Sequence, residues 1–355
     1  MTMRAAIVGA AGFAGIELTR ILLAHPSFEL AVITSNELAG TPLAVEYPGF
    51  NGASNLVFSS HDNPELDTCD VVFLAVPHTA AMAMAPRHVA RGALVVDLSA
   101  DFRLKDPAVY EQWYKTPHTE VELLARAAFG LPELFAEGLT AAAAEYSAGS
   151  GALVGCAGCY PTATSLAAAP AMRLGFVAPE TPIVVDAISG VTGAGKKCTP
   201  RTHFCFADEN LEAYGVATHR HTPEIEQILG IDGRLVFTPH LAPANRGLLS
   251  TVNLPLAKDA PSSIAEIRAA YQQFYAEHAF VTVLDEGQMP KTTSVVGTNR
   301  AHIGLALNER ARMLIAVGAI DNLGKGAASQ AVQCANIVCG LAETCGLDGF
   351  ALPVV

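Results

Sequence analysis

Ala5-Ala6-Ile7-Val8-Gly9-Ala10-Ala11-Gly12-Phe13-Ala14-Gly15 is the stretch that decides the fold. A short apolar run reads as a buried strand, and Ala14–Ala24 then carries helical spacing. Between them stands G-x-x-G-x-x-G. Glycines at a strand-to-helix turn permit a tight reversal and let the backbone approach a pyrophosphate. The helix N-terminus behind them offers unpaired N–H groups and a positive dipole end. Gly9, Ala11, Gly12, Phe13, Ala14 and Gly15 are therefore candidate dinucleotide contacts. A plain strand–helix turn would use the same glycines, but the place of the motif directly after the first strand favours the dinucleotide reading.

Working outward, Glu29–Thr34, Val71–Val76 and Leu94–Leu98 read as further buried strands, with Thr79–Arg91 a helix among them. Strand–helix alternation predicts a parallel sheet covered on both faces. Ala152–Gly155 reads as one more strand, followed by a helix over Pro161–Leu174. The second strand ends at Thr34-Ser35-Asn36, where an acidic residue would hold the ribose 2′-hydroxyl of NAD. None is present, and small polar side chains leave room for a 2′-phosphate. The expected cofactor is NADP(H), with Ser35 among its contacts.

The pattern then changes. Pro182–Ser189, Leu235–Pro239, Gly247–Leu254, Val281–Leu284, His302–Leu307 and Met313–Ile320 look like strands, with helices at Pro223–Leu229 and Ser262–Glu277. This is an α+β pattern with a mixed or antiparallel sheet. A last helix over Ala327–Ala342 is apolar on a broad face and is expected to pack against something. The predicted fold class is α/β. A Rossmann-like domain spans 1–157, an α+β domain spans 158–320, and 321–355 carries the C-terminal helix.

Composition bounds the function. Lys plus Arg is 22 against 34 for Asp plus Glu, a formal charge of −12, which disfavours nucleic acid and anionic membranes as partners. No stretch reads as a signal peptide or a lipid-facing helix. Eight cysteines in 355 residues are too sparse for a disulfide scaffold, so reduced thiols and a cytoplasmic location are expected.

Gly155-Cys156-Ala157-Gly158-Cys159-Tyr160-Pro161-Thr162 places Cys159 at a helix start, where the dipole favours a thiolate. A nucleophilic cysteine beside a dinucleotide site suggests acyl chemistry through a thioester. For an arbitrary cysteine, burial as a small apolar residue is the commoner outcome. Cys156 and Cys159 form C-x-x-C, but no second such pair completes a zinc site, so no metal is expected. His219 and His221 enter another helix at His219-Arg220-His221-Thr222-Pro223-Glu224 and are candidates for proton transfer, with helix-entry packing as the plainer alternative. Ser189-Gly190-Val191-Thr192-Gly193-Ala194-Gly195-Lys196-Lys197 is a Gly-rich basic loop whose successive amides suggest an anion nest. It lacks the spacing of an ATP loop. Arg103, Arg201 and Arg246 have the fork geometry for a carboxylate or phosphate, although any one of them taken singly reads as a solvated charge.

Taken together, these residues resemble the N-acetyl-gamma-glutamyl-phosphate reductases, relatives of the aspartate-semialdehyde dehydrogenases. The resemblance spans the whole chain. It is carried by Gly9–Gly15, Phe73-Leu74-Ala75-Val76-Pro77-His78, Asp97-Leu98-Ser99-Ala100-Asp101-Phe102-Arg103, Gly158–Thr162, Ser189–Lys196, His219–Ile225, Pro239-His240-Leu241, Arg246-Gly247 and Asp321-Asn322-Leu323-Gly324-Lys325-Gly326-Ala327-Ala328. It implies an NADPH-dependent reduction of an acyl phosphate to a semialdehyde in arginine biosynthesis. Cys159 would be the nucleophile. His221, or else His219, would be the general acid/base. Ser189, Lys196, Arg103, Arg246 and Glu224 would contact substrate. Pro77, Ser99 and Asn322 would join the cofactor contacts, and the C-terminal helix would return to the first domain. The implied partner is a small acyl phosphate, and the implied assembly is a homodimer or homotetramer.

The sequence departs from the family pattern twice. Cys156-Ala157 stands where the family usually has Asn-Pro, and Ala244-Asn245 precede Arg246 where a Met is frequent. Two other functions compete. One is the same chemistry on an aminoadipyl phosphate of lysine biosynthesis, because one methylene separates substrates by only about 1–3 kcal/mol. The other is a non-catalytic NADP-binding sensor, disfavoured by the presence of Cys159, both histidines and Arg246.

Overall fold

The computed structural model describes residues 2–352. The chain forms two compact units. One comprises residues 2–157 with Ala327–Asp348, the other Gly158–Gly326 with 349–352.

In the first unit the chain runs β1 (Met3–Val8), α1 (Phe13–Leu23), β2 (Phe28–Thr34), α2 (Leu43–Glu46), β3 (Val71–Leu74), α3 (Ala81–Ala90) and β4 (Leu94–Asp97). It continues through α4 (Pro107–Tyr114), α5 (Val121–Arg126), β5 (Ala128–Gly130), α6 (Pro132–Ser147) and β6 (Ala152–Cys156). The strands order as β2-β1-β3-β4-β6-β5, and every pairing is parallel. Parallel strands covered on both faces need continuous apolar runs. Ala5–Val8, Val71–Leu74 and Leu94–Val96 supply them, each residue at most 1% exposed. Consecutive strands β2 and β3 flank β1 on opposite sides, so the Gly9–Gly15 turn stands at the topological switch point, the usual place for a ligand in such sheets.

Two expectations need correction here. The helix predicted over Thr79–Arg91 begins only at Ala81, because Thr79 sits at φ +77 in a left-handed turn. Residues 107–147 hold three helices and a short strand that the apolar periodicity did not reveal.

The second unit begins with α7 (Cys159–Arg173) and β7 (Ile183–Gly190), then α8 (Phe204–Ala207), β8 (Glu212–Ala213), α9 (Thr222–Leu229), β9 (Leu235–Ala242) and β10 (Leu248–Pro255). After these come α10 (Ile264–Phe274), β11 (Val281–Val283), β12 (Ala301–Asn308) and β13 (Met313–Ile320). Seven strands form one mixed sheet in the order β11-β12-β13-β10-β7-β9-β8. One face lies under α7, which comes so close to β13 that a side chain on Gly318 would meet the Ala163 carbonyl at 2.6 Å. Tyr271 and Tyr275 of the α10 segment donate to the Ala167 and Leu166 carbonyls at 3.0 and 2.6 Å, tying α10 to α7.

The helix over Cys159–Arg173 starts two residues earlier than its proline suggested. Gly158 is its extended N-cap, and Pro161 lies inside the first turn, where its missing N–H costs nothing. The last helix, α11 (Ser329–Val338), belongs to the first unit and packs on α6, which covers part of its broad apolar face. It is shorter than expected at both ends: Ala327 and Ala328 belong to a π-helical turn over Gly324–Ala328, and the helix stops at Val338, just before Gly340 at φ +73.

Candidate active site

The cofactor elements belong to the first unit. Gly9 adopts φ +87, and a Cβ there would meet the Ala75 carbonyl at 2.4 Å. A Cβ on Gly15 would meet the Gly9 carbonyl at 2.4 Å. Both glycines are demanded by the chain itself. Gly12 is different: its nearest neighbour to an added Cβ is the Gly9 carbonyl at 3.7 Å, ordinary contact. Nothing in the protein forbids a side chain there, so its absence keeps space for something outside the chain. Behind it, α1 has no side-chain cap and no acid in its first turn, which leaves the helix start to an external anion. These observations fit a dinucleotide pyrophosphate. Tyr47, which the sequence did not single out, donates to the Ala11 carbonyl at 2.7 Å and pins the loop.

Pro77 is exposed at the end of β3, whereas Ser99 is buried. The Ser99 hydroxyl donates to Asp97 at 2.9 Å and accepts from the Asp101 N–H at 3.1 Å, and the Ser99 backbone N–H donates to Asp97 at 2.8 Å, so both of its donors are spent inside the fold. Burial and neighbouring Asp101 push the Asp97 carboxyl up to about 7. Asp101 accepts from the Thr79 and Met82 amides and from the Tyr110 hydroxyl, which holds the left-handed turn at Thr79. Arg103 is 5% exposed and donates to the Leu98 carbonyl at 2.6 Å.

The chemistry-bearing residues are gathered in the second unit. Cys159 is the first residue of α7, partly accessible, with neither a capping side chain nor an acid in the first turn. The preceding Gly158 N–H donates to Glu224 Oε1 at 2.8 Å, and Glu224 is 2% exposed in the first turn of α9. Gly326 of the π-helical turn lies against the cysteine: a Cβ there would come within 2.7 Å of Cys159 Cβ. π-Turns recur at functional positions because they re-aim a helix locally.

His221 is the N-cap of α9, and its backbone N–H donates to Nδ1 of His219 at 3.1 Å. The two rings lie 4.9 Å apart. Burial, assisted by Arg220, pushes His219 down to about 4, so it is a neutral ring with its proton on Nε2. Tyr160 stands edge-on to both histidines, and its hydroxyl donates to the His240 carbonyl at 3.0 Å. Tyr214 donates to the Tyr160 hydroxyl at 3.2 Å, and its own hydroxyl is pushed up to about 12 by burial. Arg201 lies 5.5 Å over the Tyr214 ring while paired with Glu212. Sequence reasoning missed this aromatic frame. Only Tyr160, inside the quoted cysteine turn, gave a signal for it.

The start of the 189–197 loop does not offer the successive free amides its glycines suggested. The amides of Gly190, Val191 and Thr192 donate to the carbonyls of Gly247, Ala244 and Asn245, so they are spent inside the fold. Ser189 is buried and donates to the Gly190 carbonyl, while Lys196 is exposed. Arg246 forms an ion pair with Asp321, whose buried carboxylate also accepts from the Leu323, Gly324 and Gly297 amides. Asn322 accepts from the Gly247 N–H at 2.8 Å and donates to Thr192 at 2.9 Å, so its amide locks the 192 and 247 turns together. Gly158, Cys159, the two histidines, Glu224, Ser189, Arg246 and Asn322 thus share one unit. Arg103 and the glycine turn belong to the other.

Comparison with known proteins agrees with this arrangement. Residues 4–142 match the semialdehyde dehydrogenase NAD binding domain, and residues 159–322 match the semialdehyde dehydrogenase dimerisation domain. The N-acetyl-gamma-glutamyl-phosphate reductase of Moorella thermoacetica is 43% identical, with 98% of each chain covered. That of Neisseria meningitidis is 41% identical over 99% of this chain and 98% of its own. An aspartate semialdehyde dehydrogenase II from Vibrio cholerae, solved with ASA, shares the fold at TM-score 0.70 and 16% identity, covering 95% of this chain and 98% of that one. The aspartate semialdehyde dehydrogenase from Candida albicans, solved with NADP, shares it at TM-score 0.68 and 15% identity over 95% and 98%. The chain belongs to the N-acetyl-gamma-glutamyl-phosphate reductase family, within the semialdehyde dehydrogenases.

Proposed function

We propose that this protein reduces N-acetyl-L-glutamyl 5-phosphate to N-acetyl-L-glutamate 5-semialdehyde with NADPH, through a thioester on Cys159, in arginine biosynthesis. The observation that carries this reading is Cys159 at an uncapped helix start, followed by Tyr160, whose ring stands edge-on to both His219 and His221. The positive end of α7 favours the thiolate, the form that attacks an acyl phosphate. Phosphate leaves with the acyl-oxygen electron pair. When bound, NADPH supplies the hydride that takes the thioester to the aldehyde level. Amides at the start of α7 stabilise the oxyanion of each tetrahedral stage. His221 handles the proton, and His219 serves as its neutral support, since a ring held near 4 carries no charge at neutral pH. Glu224 fixes the Gly158 turn. Arg246, held by Asp321, and Lys196 are the cations proposed for the substrate's carboxylate and phosphate.

The chain's own residues fit the cofactor at Gly12 and the uncapped start of α1. NADP rather than NAD is proposed because β2 ends without an acid. A homodimer or homotetramer is proposed through the sheet face opposite α7. There Val184 and Val236 pair in register and are 37% and 50% exposed, with Ile188 beside them at 37%. A cytoplasmic setting suits the eight free thiols. No described helix is long and apolar enough to cross a membrane.

The test is the reverse reaction: NADPH formation from NADP, phosphate and N-acetylglutamate semialdehyde. The aminoadipate homologue and aspartate semialdehyde run in parallel. Turnover on the first substrate above the other two supports the reading. Preference for the homologue moves the enzyme to lysine biosynthesis, and no turnover on any of the three overturns it.

A further inference from the structure

At the carboxyl end of β2, a second segment lies alongside the strand. Thr34 bridges to Ser59 in parallel, and the Ser35 N–H donates to the Ser59 carbonyl at 2.9 Å. His61 follows on that segment. Its Nδ1 bonds to the buried Thr34 hydroxyl at 2.6 Å, and its backbone N–H donates to the Asn36 side-chain oxygen at 2.9 Å. These bonds fix the imidazole against the strand end. They leave its Nε2 without a partner among the described residues, along with the Ser35 hydroxyl and the Asn36 side-chain amide N–H groups.

That place is where a dinucleotide fold meets the adenosine ribose. No Lys or Arg occurs in the stretch from Thr34 to Asn63, so His61 is the one residue there able to carry positive charge. We propose that His61, supported by Ser35 and Asn36, recognises the 2′-phosphate of NADP and sets the preference over NAD. The inference rests on the NADP reading above and names the residue that would enforce it.

The Thr34 contact explains how one histidine serves. With the Thr34 hydroxyl donating to Nδ1, the neutral ring keeps its proton on Nε2, and the charged ring keeps one there as well. Either form presents Nε2–H to a phosphate oxygen, so recognition does not require the cation. Burial holds the ring's pKa below its ordinary value, with Asp62 opposing. Glu37 and Asp62 flank the site as exposed carboxylates, so the site is not a generally cationic patch. Selectivity there comes from directed donors, and NADH, lacking the phosphate, would leave them in water at little cost.

The experiment is titration of the full chain with NADPH and with NADH, in wild type, His61→Phe and His61→Gln. Wild type is expected to bind NADPH more tightly. His61→Phe keeps a ring of similar bulk without the donor. It is expected to lose about ten-fold or more of NADPH affinity, as for a lost hydrogen bond to a charged group, while NADH affinity stays within about two-fold. His61→Gln, which restores an N–H donor, is expected to recover part of the loss. Equal weakening toward both cofactors would mean a merely structural role and would overturn the proposal. Unchanged NADPH affinity in His61→Phe would overturn it too. A wild type without NADPH preference would overturn the NADP reading itself, a result separate from either of these.

Discussion

The backbone N–H of His221 donates to Nδ1 of His219 across 3.1 Å. This bond assigns unequal parts to two histidines that look alike in the sequence. His219 spends its acceptor on the chain and is buried among Tyr160, Tyr214 and Phe237. Burial makes its charged form unfavourable. In the proposed mechanism His221 is then the ring for proton transfer, and His219 fixes its backbone.

A stability consequence follows from that burial. The folded-state pKa of His219, about 4, lies below the ordinary value of 6.5, so between these values the unfolded chain binds more protons. The contribution is fully present above about pH 6.5 and is lost as pH falls toward 4. His88, pushed down to about 4 mainly by burial, acts in the same direction. Asp97, pushed up to about 7, acts in the opposite direction, so the share of His219 is read as a difference: the change in unfolding free energy between pH 6.5 and 4, from urea titration, is expected to be shifted in His219→Gln toward a smaller loss than in wild type. The same change in both proteins would contradict a neutral His219.

Gly326 gives a steric test of the cysteine's placement. A Cβ there would sit 2.7 Å from Cys159 Cβ and 3.1 Å from its Cα. Gly326→Ala must push the nucleophile away from its place at the helix start. Displacements near 1 Å cost on the order of 10²-fold in rate. Steady-state kinetics should show that loss in kcat, with NADPH affinity retained. Wild-type kcat in the variant would refute the close approach.

Glu224 separates positioning from charge. Its Oε1 receives the Gly158 N–H at 2.8 Å. Glu224→Ala leaves that buried amide unpaired, at a cost of about 1–3 kcal/mol, and releases the turn into Cys159. A drop in kcat of ten-fold or more is expected, while Glu224→Gln, which keeps a carbonyl acceptor, should retain most of the activity. If the Gln variant instead raises KM for the acyl phosphate as much as Ala does, the carboxylate contacts substrate.

Gly12 and Gly15 should respond oppositely. Gly15→Ala meets backbone at 2.4 Å and should lower the melting temperature sharply. Gly12→Ala meets nothing closer than 3.7 Å, so the fold should tolerate it, and the loss should appear in NADPH affinity. Calorimetry and cofactor titration on the two variants read this contrast. Unaltered NADPH binding by Gly12→Ala would remove the glycine turn from the pyrophosphate site.

Much of the architecture was legible because it is written in local pattern. Ala5–Val8 and its sister runs are apolar without interruption, as doubly covered parallel strands must be, and the glycine turn marks the switch point. The cysteine turn and histidine pair were legible from residue type and helix punctuation. The 107–147 helices were not, since α4 and α5 are short and α6 buries only five of its sixteen residues, two of them Pro132 and Glu133. The start of the 189–197 loop misled for a different reason. Gly190 accommodates the close approach of the 244–247 turn, where a Cβ on it would meet the Asn245 carbonyl at 2.7 Å. Glycine for a neighbouring backbone and glycine for an anion look the same in one sequence. The Tyr214–Tyr160 bond and the Asp321–Arg246 pair join residues far apart in the chain, beyond the reach of periodicity.

The central claim is the covalent intermediate on Cys159, and rapid mixing with the acyl phosphate in the absence of NADPH tests it most directly. The account predicts one burst of phosphate per subunit, with an N-acetylglutamyl adduct located on Cys159 by peptide mass spectrometry and absent in Cys159→Ala. No phosphate release before NADPH is added, or an adduct on any other residue, would contradict it.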